Sequence, residues 1–95
     1  MTKDPILRIR MLAQSFPGLW KAPGVSPWDP VALDEWAAGG APSHGERCAA
    51  QFLLPVWNPD EPWRSGKFDL MEALRIFDAQ HHRALIEWAL NPWWA

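Results

Sequence analysis

Ten prolines, and the places where they fall, constrain this chain more than any other feature of it. Proline has a fixed φ and no backbone N–H, so it suits the first turn of a helix and disrupts positions further in. Two of the ten directly follow aspartate, in Asp4-Pro5 and Asp29-Pro30. Each pair reads as a helix start, with Asp as N-cap and Pro at the first helical position. Most of the others lie in two stretches, residues 16–28 and 55–67, which are therefore expected to be irregular.

Between these breaks the apolar residues recur at helical spacing. Ile6, Leu7, Ile9, Met11 and Leu12 predict a helix over about 5–15, closed by Pro17-Gly18. Val31, Leu33, Trp36 and Ala37 predict a second over about 30–38, stopped by Gly39-Gly40. Ser43 with Glu46 three residues on is a capping box, and Cys48, Ala49, Phe52 and Leu53 follow it. That third helix is expected over about 44–54, with Pro55 closing it. Asp69 with Glu72 repeats the cap logic before a stripe of Leu70, Leu74, Phe77, Leu85 and Trp88 that only His81 interrupts. It predicts a helix over about 69–90, ended by Asn91-Pro92, with Asp78 as a place where a new helix can be capped. No period-two pattern persists. The expected fold is all-α: one small domain over 1–95 with three or four helices and Pro/Trp-rich loops packed on them.

Nine basic against eleven acidic residues argue against a nucleic-acid partner, whose phosphates call for a basic excess. The distribution is uneven. Lys3, Arg8, Arg10 and Lys21 outnumber Asp4 in residues 1–21, whereas Arg47 stands alone against six carboxylates in residues 22–62. Cys48 is the only cysteine, so no internal disulfide forms and a reducing compartment is expected. The N-terminus has no apolar run of signal-peptide length, and no stretch reaches the ~18 apolar residues of a membrane span. A cytoplasmic chain without membrane contact is the expectation.

Eight tryptophans and no tyrosine are the other unusual count. An indole buries ~150–250 Å², so Trp stacked on Pro can supply an irregular segment with a core of its own. Trp36 and Trp88, on helices, are the expected core members. Trp is also enriched at binding hot spots. Trp93 and Trp94 follow a helix-ending proline and cannot easily both point inward, so they are the first candidates for contact with a partner or with a second copy of the chain. Trp57 and Trp63, in the second irregular stretch, come next.

Sequence signals of reaction chemistry are weak. Asp78 and His81 have the carboxylate-x-x-His spacing of di-iron helices, but no second copy of the motif exists. A mixed metal site of His44, Cys48, Asp78 and His82 would need four residue types brought together by the fold. His81 reads instead as a hydrogen-bonded core residue, with His82 at its border. No G-x-S-x-G elbow and no phosphate-binding glycine loop is present. The expectation is a small non-enzymatic protein-binding module without cofactor or metal, an inhibitor or accessory factor of a larger protein or nucleoprotein complex. Phage and mobile-element anti-defence proteins, anti-CRISPR proteins among them, share this size class, which is an analogy of size alone. The alternative is a nucleic-acid-associated helical subunit using Arg8, Arg10 and Lys21.

Overall fold

A computed structural model describes residues 4–95, so Lys3, counted above in the basic segment, lies outside the described residues. The described residues form five α-helices and one 3-10 turn, and no strand. In chain order these are α1 (Pro5–Gln14), the 3-10 turn (Leu19–Lys21), α2 (Pro30–Ala38), α3 (His44–Trp57), α4 (Leu70–Ile76) and α5 (Ala79–Leu90). Every helix start rests on a side-chain cap. The carboxylates of Asp4, Asp29, Asp69 and Asp78 each accept an amide two or three residues ahead, and Ser43 with Glu46 closes both bonds of a capping box.

The central element is α3, on which α1, α2 and α4 all pack. Its sequence explains this position: Cys48, Ala49, Ala50, Phe52, Leu53, Leu54 and Val56 are all buried, so it is apolar around most of its circumference. Small residues at 48–50 allow close approach, and Phe52 carries the aromatic contacts. Phe16 fills the middle of the core, its ring 5.7 Å from Phe52, 5.9 Å from Phe77 and 5.6 Å from His81. The radius of gyration, 12.0 Å, is that of one globule, for which ~13 Å is usual at 100 residues.

Three expectations are corrected. Pro55 does not close α3, which runs on to Trp57. So near the helix end, proline removes only its own intrahelical bond. The ladder resumes with the Asn58 amide donating to the Leu54 carbonyl at 2.9 Å, and Val56 is buried in return. The helix expected over about 69–90 is two helices, divided at the Asp78 cap that the sequence offered as the alternative: Phe77 is extended and Asp78 accepts from the His81 amide at 2.9 Å. The turn places the Phe77 ring in the core beside Phe16. Finally, the first irregular stretch contains the 3-10 turn, and its core is shared: Phe16, Leu19 and Val25 are fully buried and Trp28 packs against the core as expected, while Trp20 faces outward.

Candidate functional site

A cleft of about 470 Å³ with an apolar lining lies over the C-terminal half of the fold. Phe52, Pro55 and Val56 of α3 form its floor. Leu70 and Leu74, four apart on α4, make one wall, and Ile86 and Ala89 of α5 make the other. The α4–α5 break creates the space, because a continuous helix could not turn both segments toward α3. Trp94 sits at the mouth, its ring edge-to-face on Trp88 at 5.4 Å, and Trp88 is edge-to-face on Phe52 at 5.1 Å. Further apolar side chains continue the surface: Leu90 is 80% exposed, Met71 74% and Trp94 55%.

The tail is held in place by main-chain and side-chain bonds. The Ala95 amide donates to the Val56 carbonyl at 3.0 Å, and the Trp88 indole N–H donates to the Trp93 carbonyl at 3.0 Å. The bond from Ala95 depends on α3 extending past Pro55, since Val56 lies in that extension.

The four candidate indoles separate. Trp93 is half-buried against the core, with the Arg8 guanidinium 4.2 Å from its ring centroid. Its neighbour Trp94 projects over the cleft. Trp57, a helical residue rather than a loop residue, packs edge-on against Trp28 at 5.4 Å. Trp63 is half-buried, its indole N–H bonded to the Asn58 carbonyl at 3.1 Å. It lines a second cleft of about 400 Å³ with Pro59 and Pro62. The two clefts share Pro55 and Phe68 and so adjoin, bringing Trp63 and Trp94 to one side of the molecule. Trp36 and Trp88 pack on the core from its edge.

Sequence reasoning missed the aliphatic part of this surface. Ile86 and Leu90 lie four apart on α5, off the stripe of His81, Leu85 and Trp88 that faces the core. A second apolar face on a short helix was the available signal, as was Met71 beside Leu70.

The basic residues of the alternative reading are engaged by different neighbours. Arg8 stacks on Trp93, Arg10 donates to the Ser26 hydroxyl at 2.8 Å, and the Lys21 ammonium lies 4.8 Å from the Trp20 ring centroid.

A polar cleft of about 440 Å³ lies on another part of the surface, where Ser43 and Glu46 at the start of α3 meet Asp78 and His81. His81 is 9% exposed and packs on Phe16 and Phe77, with Nδ1 2.8 Å from the Asp78 carboxylate. The hydrogen bond from the His81 amide, and then that from its imidazole, hold the Asp78 carboxyl below its usual range. His82 bonds the Leu74 carbonyl through Nε2 at 2.8 Å, and His44 pairs with Glu72. Cys48 is buried, and desolvation first, then the Glu72 charge, push its thiol up. These side chains are thus distributed among separate structural bonds. Among the described residues no three of His, Cys, Asp and Glu are placed to hold a metal ion.

No protein-family model, no curated protein and no solved structure matches this chain. No helix among the described residues is long and apolar enough to cross a membrane.

Proposed function

We propose that this chain is a small non-enzymatic protein-binding module that docks on its partner through the α4–α5 face and Trp94. The observation that carries the reading is the cleft itself. It has an apolar lining that includes the exposed Trp94, and Leu90 and Met71 stand exposed beside it. Contiguous exposed apolar surface of this kind marks interaction sites on small proteins. Trp94 supplies the large, stiff side chain that hot spots favour. The tail bonds to Val56 and Trp88 hold it in position before binding. The role that fits such a module is that of an inhibitor or accessory factor acting on a larger assembly. The anti-defence class, anti-CRISPR proteins included, enters by size alone.

The test is affinity capture from the source cells with the wild-type chain, Trp94→Ala and Ile86→Glu in parallel. Both positions are exposed, so both variants should keep the wild-type helical spectrum. A partner held by the wild type and lost by both variants supports the reading. Equal capture by all three refutes it. Binding of nucleic acid that falls steeply with salt and fails in Arg8→Ala/Arg10→Ala would replace it with the alternative.

A further inference from the structure

We infer that the α4–α5 face is self-complementary and that its occupant, when no other protein is bound, is a second copy of this chain. The inference rests on the reading of that face as a protein-docking surface and goes further by naming what covers it. Three observations lead to it.

The first is shape. Cleft and projections occupy one continuous face: Ile86 lines the cleft and Leu90 stands one helical turn beyond it, while Leu74 lines it and Met71 stands one turn before. A two-fold axis through such a face sets the projecting Leu90 and Met71 of each copy against the cleft of the other, as an isologous interface requires.

The second is area. Leu70, Met71, Leu74, Ile86, Leu90 and Trp94 are all substantially exposed. Together they present on the order of 600 Å² of mostly apolar surface. A standard interface buries ~800 Å² per partner, about two-thirds of it apolar in homodimers. The face therefore reaches the apolar area of a small homodimer by itself.

The third is charge. The cleft lining holds no charged side chain, so a second copy closing over it meets no like-charge repulsion there and leaves no lining charge to be desolvated. The α5 charges Arg83 and Glu87 lie away from it, in a separate cleft with Gln14, Ser15 and Pro17.

The experiment is sedimentation velocity from about 0.5 to about 500 µM, a span that covers standard and weak interfaces, on the wild type, Ile86→Glu and Leu90→Glu. Binding of the fluorescent probe anilinonaphthalene sulfonate is measured alongside. A wild-type species of twice the 10.8 kDa chain mass, whose dissociation constant rises at least tenfold in both variants, supports the inference. A dimer that both variants leave intact overturns it, because the copies then meet elsewhere. A wild type that stays monomeric throughout also overturns it. In that case the probe separates the two readings. Emission lost in Ile86→Glu leaves the face an open docking surface for another protein. Emission unchanged by Ile86→Glu removes the docking reading as well.

Discussion

Replacing Asp34 by Ala should cost this protein a large part of its stability, and the structure allows the size to be worked out. Asp34 lies on α2 and is 6% exposed. One carboxylate oxygen accepts the Arg64 amide at 2.9 Å and the other accepts the Ser65 amide at 2.8 Å, thirty residues away in sequence. The same loop is reached from α3, where the Gln51 side-chain amide donates to the Ser65 carbonyl at 2.6 Å. Hydrogen bonds to a charged group contribute ~1.5–3 kcal/mol each, and a buried N–H left without a partner costs ~1–3 kcal/mol. The Ser65 side of the carboxylate is buried and the Arg64 side is partly wet, so water recovers some of the second bond. A loss of about 3 kcal/mol follows, against a total of ~5–14 kcal/mol expected for a domain of this size. It should lower Tm by ~12–24 °C. Urea unfolding followed by circular dichroism gives the energy, and amide exchange at Arg64 and Ser65 gives the location. Asp34→Asn, which presents an N–H to one of the two donors, should fall as far or nearly so. A loss below ~1 kcal/mol in Asp34→Ala, with both amides still protected, would refute the assignment of this carboxylate as the anchor of the Trp63 loop.

Three further outcomes are expected. Gly24→Ala should be destabilised by more than ~2 kcal/mol in the same urea assay, because φ is +88° and an added Cβ would lie 2.3 Å from the Asp29 carbonyl oxygen and 2.5 Å from the Leu33 nitrogen. Cys48, buried and with its thiol pushed up, should resist iodoacetamide at pH 8 in the native state and react at once in urea. Asp78 has a lowered native pKa, so its carboxylate favours the folded state above its unfolded value, and that contribution disappears as pH falls through the native value. Stability of the wild type relative to Asp78→Asn, which caps without titrating, should therefore shrink below pH ~4 and stay constant above pH ~6.

The helix starts were legible in the sequence because a cap is a local event. Asp4, Asp29, Ser43 and Asp69 each find an amide two or three residues ahead, so neither the cap nor its proline or glutamate needs the rest of the molecule. The buried stripe of α3 was legible for a similar reason: its period is a property of the chain alone. Helix ends and interruptions were harder to read, because there two local preferences compete and burial decides. Pro55 is a helix breaker by itself, but here the burial of Val56 outweighs one missing bond. The stripe from Leu70 to Trp88 reads as one helix until Asp78 caps a second start and Phe77 turns into the core.

The candidate site divides along the same line. That Trp93 and Trp94 would face different ways was predictable from their adjacency after Pro92. Which of them is outward depends on Arg8, eighty-five positions earlier, stacking on Trp93, and on the Ala95 amide reaching Val56. The excess of proline and tryptophan determined by itself that the chain would be short helices joined by loops needing their own contacts. Only the tertiary structure decided which apolar side chains remain uncovered. Exposure is a property of what packs on a residue from far along the chain, and on the outer face of α4 and α5 no other described segment provides a cover.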